Sequence, residues 1–142
     1  MRILLVNGPN LSQLGSRDPA IYGTATLADV EAAARSEHAD LDTFASESEG
    51  ALVTRLHTAR ADGTAAVVIN AGALTHYSYA LRDALELLAV PKVEVHLSQT
   101  YARESFRHHS VVGPVVDATI TGAGVYGYRL AIRAALHLVG QR

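Results

Sequence analysis

Arg2-Ile3-Leu4-Leu5-Val6-Asn7-Gly8-Pro9-Asn10-Leu11 is the stretch on which the fold turns. A short apolar run rich in branched residues breaks at Asn-Gly-Pro-Asn, which reads as a buried strand ending in a turn. The chain then passes through Gly15, Ser16-Arg17-Asp18-Pro19-Ala20-Ile21-Tyr22 and Gly23 with neither a helical nor a strand period. So long a connection in a compact chain is usually a lid or a binding loop. It carries an arginine and a tyrosine five residues apart, and a guanidinium beside a phenol is one way to support a phenolate base. The loop therefore predicts an enzyme.

The strand pattern recurs downstream. Residues 65–69 form a second clear strand that ends in Asn70-Ala71-Gly72, and residues 92–97 and 115–120 form two more. Residues 41–46 are expected as a short edge strand. Helices fall between them. Thr26 is placed to cap one, with Asp29 at the capping-box position. Leu52, Leu56 and Ala59 repeat at helical spacing, Leu81, Leu85 and Leu88 mark a helix closed by Pro91, and residues 128–139 form the last. Buried-type strands alternating with helices imply an α/β fold, a parallel sheet with helices on both faces. Five strands in this length favour the flavodoxin-like order 2-1-3-4-5. That order makes strands 1, 3 and 4 neighbours, so Asn10, Asn70 and His96-Leu97-Ser98 gather at their C-terminal ends, where such sheets bind ligands.

Composition bounds the rest. The 142 residues suit one domain spanning 1–142, and 49% hydrophobic against 18% charged residues argues against disorder. A net charge of −2 disfavours nucleic acid as a partner. No apolar run approaches the roughly 18 residues of a membrane span, and there is no cysteine for a disulfide or thiolate chemistry. A soluble cytoplasmic protein is expected, without membrane partners.

Several constellations carry chemistry, each beside a plainer reading. Glu94 and His96 lie two apart on a strand and share a face. A carboxylate beside an imidazole fixes its tautomer and suits a general acid, although a buried structural pair would look the same. Two polar residues on a strand expected to be apolar tilt the balance toward function. Asp83 follows His76 by two helical turns, as either a site carboxylate or part of a helix cluster. Arg103 and Arg107, four apart on a helix expected from Tyr101, can both point one way; a solvated face is the usual meaning of that spacing, a reading weakened because the helix follows directly from the His96–Ser98 strand end. Gly122-Ala123-Gly124-Val125-Tyr126-Gly127 matches a dinucleotide-binding pattern but follows the last strand rather than the first, with no acidic residue after it, so it reads as a packing turn. Seven histidines suggest metal, yet their spacing gives no ligand pair, and no metal site is expected.

Taken together, Asn7-Gly8-Pro9-Asn10-Leu11, Arg17-Asp18-Pro19, Tyr22-Gly23, residues 70–76 (Asn-Ala-Gly-Ala-Leu-Thr-His), residues 80–84, Glu94-Val95-His96-Leu97-Ser98 and residues 102–110 resemble the type II 3-dehydroquinate dehydratases, in order and spacing, nearly end to end. The resemblance implies dehydration of 3-dehydroquinate to 3-dehydroshikimate by anti elimination through an enolate, with no metal and no cofactor. It implies Tyr22 as base, supported by Arg17, and His96 as acid, oriented by Glu94. Asn10 would hold a water on the enolate oxygen. Leu97 and Ser98 would grip the carboxylate; Asn70, His76 and Arg107 would bind ring hydroxyls and the carboxylate region. Arg103 would close over the site, and Asp83 would bridge from a neighbouring subunit. A homo-oligomer follows from the same resemblance, a dodecamer of four trimers.

The sequence departs from that family at Ala45 and Glu47, Tyr77, Gln99-Thr100-Tyr101 and Ser105, and the connection after the first helix is about four residues short. None of these touches the expected base or acid. Two other readings stay open: a non-catalytic flavodoxin-like binding module, and a dehydratase tuned to a related cyclic hydroxy acid.

Overall fold

A computed structural model describes residues 1–141. Five parallel strands, β1 (Ile3–Asn7), β2 (Leu41–Ala45), β3 (Ala66–Asn70), β4 (Lys92–His96) and β5 (Ala118–Thr121), lie in the order β2-β1-β3-β4-β5. The helices are α1 (Pro19–Tyr22), α2 (Leu27–Glu37), α3 (Glu49–Ala59), α4 (Tyr79–Glu86) and α5 (Tyr126–Gly140). The expected α/β fold, strand order and placement of helices on both faces hold.

Strand alternation divides the core in two. Ile3 and Leu5 of β1, Val68 of β3 and Val93 and Val95 of β4 face α2 and α5, against Val30, Ala34, Ala131 and Ile132. Leu4, Val6, Val67 and Ile69 face α3 and α4, against Leu52, Leu56, Leu81 and Leu85. Each fully buried aliphatic side chain contributes about 1.5–3 kcal/mol by leaving water, which explains why the central strands are apolar on both faces.

On β4 the alternation puts Lys92, Glu94 and His96 on the α3/α4 side, where aliphatic residues would otherwise sit. Lys92 Nζ donates to the Leu85 and Leu88 carbonyls at 3.1 and 2.6 Å, so the ammonium satisfies carbonyls at the end of α4. The capping box of α2 is present, with Thr26 Oγ1 accepting from Asp29 N and Asp29 accepting from Thr26 N.

Three local expectations are corrected. The last strand starts at Ala118, not at residue 115, because Pro114 opens a tight turn over Gly113–Val115, and Val115 and Val116 pack against the α3/α4 core instead. The loop after β1 is not structureless: Leu11–Gln13 forms a 3₁₀ turn, and α1 is a single helical turn capped by Asp18, with Pro19 at its first position and Gly23 at φ 72° closing it. Finally, no helix carries Arg103 and Arg107. Two 3₁₀ turns, Thr100–Ala102 and Ser105–His108, are separated by extended backbone at Arg103.

The turns after β1 and β3 meet backbone to backbone. Gly8 N donates to Asn70 O at 2.8 Å, and a Cβ at Gly8 would fall 2.7 Å from Ala71 O. Gly72, at φ 59°, would place a Cβ 2.9 Å from Pro9 O. Only glycine lets these two turns close on each other, and their closure brings the ends of β1 and β3 to a common rim.

Candidate active site

Asn7 and Asn70 are register partners at the ends of β1 and β3, and β4 ends beside them at His96. Over this rim Tyr22, Asn70, His76, His96, Leu97, Ser98, Arg103 and Arg107 line one cavity, joined by Leu11 and Thr100. Residues from the lid, the β3 turn and the β4 end, distant in sequence, thus converge where the strand order predicted.

Tyr22 is half-buried, on the last position of α1. Its hydroxyl oxygen accepts from Arg17 Nη2 at 2.8 Å and from Arg103 Nη2 at 2.7 Å. Arg17 also lies over the ring, its Cζ 3.8 Å from the centroid. Arg103 Nη1 donates to Ser98 Oγ at 3.3 Å, tying the lid tyrosine to the β4 end. Two cationic donors on one phenolic oxygen form a receptacle for negative charge at that atom.

His96 Nε2 faces Glu94 Oε2 at 2.6 Å, and both side chains are buried. A carboxylate can only accept, so Nε2 carries the proton and Nδ1 is the nitrogen left for chemistry. Glu94 is held in turn by the Ser110 hydroxyl at 3.3 Å and the Thr119 hydroxyl at 3.5 Å. The His76 ring stacks alongside, 6.5 Å from that of His96. His76 Nδ1 donates to the His109 carbonyl at 2.6 Å, which leaves Nε2 as an acceptor. Burial pushes the His76 imidazole below its usual value, with the His96 and Arg107 charges acting the same way and the His109 carbonyl against them.

Arg107 Nε pairs with Glu104 at 2.9 Å, and its Cζ lies 4.6 Å over Phe106. Asn70 is half engaged within the protein, its Nδ2 donating to the Tyr128 hydroxyl at 2.7 Å and its Oδ1 accepting from Gly72 N at 3.0 Å.

Four expected site residues lie outside the cavity wall: Arg17 and Glu94, which reach it through Tyr22 and His96, and Asn10 and Asp83. Asn10 is exposed, in the left-handed region at φ 71°, and its N–H donates to Glu47 Oε2 at 2.6 Å. Asp83 is exposed on α4. Tyr77 breaks the helical path at φ −152°, so the two-turn spacing from His76 does not stack Asp83 over it.

Sequence reasoning did not find Tyr128, Ser110, Thr119 or the Glu47 clamp. The paired asparagines at two strand ends were a usable signal for a buried polar network. A tyrosine in an otherwise apolar helix face gave none.

The cavity has a volume of about 50 Å³, far below the roughly 300–1,000 Å³ of ordinary small-molecule sites. On the far side of Tyr22 and Arg103 lies a wider cleft of about 540 Å³, which shares Tyr22, Leu97, Ser98 and Arg103 with it. These four residues belong to both walls.

Residues 1–136 match the family described as Dehydroquinase class II. A 3-dehydroquinate dehydratase of Jannaschia sp. is 53% identical over 99% of this chain and 97% of its own length. A catabolic 3-dehydroquinase of Botryotinia fuckeliana is 51% identical over 92% of this chain and 89% of its own. The crystal structure of a type II dehydroquinase from Butyrivibrio crossotus superposes with a TM-score of 0.93 at 40% identity, covering 96% of this chain and 97% of that one.

Proposed function

This chain belongs to the class II dehydroquinase family, and from that premise we propose that it is a hydro-lyase converting 3-dehydroquinate to 3-dehydroshikimate by anti elimination. The observation that carries the mechanism is the convergence of a doubly arginine-bracketed tyrosine and a carboxylate-oriented histidine on one cavity.

Tyr22 as phenolate takes the C2 proton of the substrate. The released pair forms the enolate with the C3 oxygen, which Asn10 reaches through a bridging water. The enolate then collapses: the carbonyl re-forms, the C1–C2 double bond closes and the C1–O bond breaks. His96 Nδ1 protonates the departing hydroxyl, which leaves as water. Tyr22 ends protonated and His96 neutral, and exchange with solvent resets both. A positioned general acid contributes about 10²–10⁴-fold in rate. Arg17 and Arg103 answer the charge on the Tyr22 oxygen, and Glu94 answers that on the imidazolium.

The other residues bind. Leu97 and Ser98 take the carboxylate with Arg107 beside them. Neutral His76 offers Nε2 to a ring hydroxyl, and Asn70 offers what remains of its amide. Asp83 acts across a trimer contact, which accounts for its place outside the single-chain cavity, and four trimers form the dodecamer. No helix among the described residues is long and apolar enough to cross a membrane; the compartment in this proposal is the cytoplasm, and the route served is that of shikimate or quinate.

The test is to mix purified protein with 3-dehydroquinate and follow enone absorbance, with Tyr22→Phe in parallel. Product from the wild type and almost none from the variant is expected. Equal rates would remove Tyr22 as the base, and no product from either would overturn the reaction.

A further inference from the structure

Tyr128 is fully buried on α5, well inside the α2/α5 core. Packing alone does not account for it, because a phenylalanine would fill the same ring volume. Its hydroxyl has two partners. It accepts from Asn70 Nδ2 at 2.7 Å and donates to Asn7 Oδ1 at 2.7 Å, spanning the paired residues that end β3 and β1.

The direction of this chain of bonds is fixed at one end by the backbone. Gly72 N can only donate, so the Asn70 atom facing it at 3.0 Å must be the carbonyl oxygen. Asn70 therefore turns its amide nitrogen toward Tyr128. The phenolic oxygen accepts there and must send its own proton to Asn7 Oδ1. Asn7 is left with a buried Nδ2 that has no partner. Turning Asn7 over would set two donors on the Tyr128 oxygen and strand the phenolic proton, so the orphaned N–H is the consequence of keeping Asn70 oriented. Burial pushes the Tyr128 phenol well above its usual range, so it remains a neutral donor and acceptor throughout the working pH.

Asn70 is left with one N–H and one lone pair, and it lines the cavity. A donor and an acceptor on one amide match a ring hydroxyl, which accepts and donates at once. We infer that Tyr128 is a positioning residue of the site: through its hydroxyl it locks the Asn70 amide so that its remaining N–H and lone pair meet a substrate hydroxyl. The inference rests on the proposal that Asn70 binds substrate.

The test is steady-state kinetics and thermal denaturation of Asn70→Ala, Tyr128→Phe and the double variant. Asn70→Ala is expected to raise KM about tenfold or more. Tyr128→Phe is expected to raise KM several-fold with kcat within about twofold, and to add nothing to KM once Asn70 is alanine, while lowering Tm in both backgrounds. A lower Tm with wild-type KM in Tyr128→Phe, beside a raised KM in Asn70→Ala, would make the hydroxyl purely structural and overturn the inference. Unchanged kinetics in Asn70→Ala would instead overturn the reading of Asn70, and the role of Tyr128 with it. Should Tyr128→Phe not fold, the side-chain amide of Asn70 in ¹⁵N-labelled wild type decides: saturating product should shift one of its two protons and leave the Tyr128-bonded one in place. Movement of both or neither would count against the lock.

Discussion

Arg103 donates to the Tyr22 hydroxyl at 2.7 Å across 81 residues of sequence, and this bond is the latch between the lid and the end of β4. Both residues line the small cavity and the wider cleft beside it. Arg103→Met keeps a long side chain but cannot donate. It is expected to lower kcat by about 10²–10³, the usual effect of removing one donor from a developing oxyanion. Hydrogen exchange at residues 17–23 should accelerate in the same variant. Unchanged exchange would show that the lid is held elsewhere.

Glu94 is buried against the imidazole it serves, and its oxygens also accept from Ser110 and Thr119. Glu94→Gln keeps the shape and one oxygen to accept from Nε2–H, but removes the negative charge that answers the imidazolium. kcat should fall by about 10²–10⁴, the range lost with a general acid, and KM should change little. A KM effect alone would make Glu94 a binding residue.

Gly72→Ala tests the junction that sets Asn70. The added Cβ would meet Pro9 O at 2.9 Å on a backbone at φ 59°, and the chain must move to relieve it. A loss of about 1–3 kcal/mol is expected in denaturant unfolding, the cost of one strained backbone residue. KM should rise as well, since Gly72 N holds Asn70 Oδ1.

The strands and their order were legible because buried parallel strands carry continuous apolar runs, interrupted only where a turn or a functional residue requires it. Asn70 and the Glu94–His96 pair stood out against such runs. What was not legible depends on contacts between distant segments. That Arg103 rather than Arg17 alone reaches Tyr22 follows from the extended backbone at Arg103, which the four-residue spacing concealed by suggesting a helix. The lid turn α1 was readable from Asp18-Pro19, a cap followed by a first-position proline, yet the glycines around it outweighed that signal. Tyr128 was hidden because an aromatic residue on an apolar helix face reads as core, which it also is.

His76 gives a pH dependence of definite sign. Burial holds it below the ordinary 6.5, so it is neutral in the folded site at neutral pH. As pH falls through 6.5 the unfolded chain takes up the proton first, so folding stability declines there and levels off once the folded imidazole is protonated too. Above 6.5 the group contributes no such dependence. Protonated Nε2 can no longer accept, so KM should rise toward acid pH, and His76→Asn should flatten that rise. A KM profile identical in the two proteins would remove His76 from substrate binding.

Glu47 clamps the start of the lid segment. Its Oε2 accepts from Asn10 N at 2.6 Å and its Oε1 from Ser12 Oγ at 2.5 Å. These bonds, that of Ser12 foremost, hold the carboxyl below its usual value of 4.5. The clamp is thus fully present above 4.5 and is lost as pH falls through the lowered value, because the folded state prefers the carboxylate. Glu47→Gln keeps one acceptor oxygen for Asn10 N and can only donate to the Ser12 hydroxyl, so both bonds lose their charge assistance and that of Ser12 must reverse. Amide exchange at residues 10–12 should rise, and kcat/KM should fall a few-fold, because Asn10 sits at the clamped, left-handed corner from which it would approach the enolate water. If exchange rises while kcat/KM holds, the clamp orders the lid without setting Asn10. If neither changes, the carboxylate is a surface contact and nothing more.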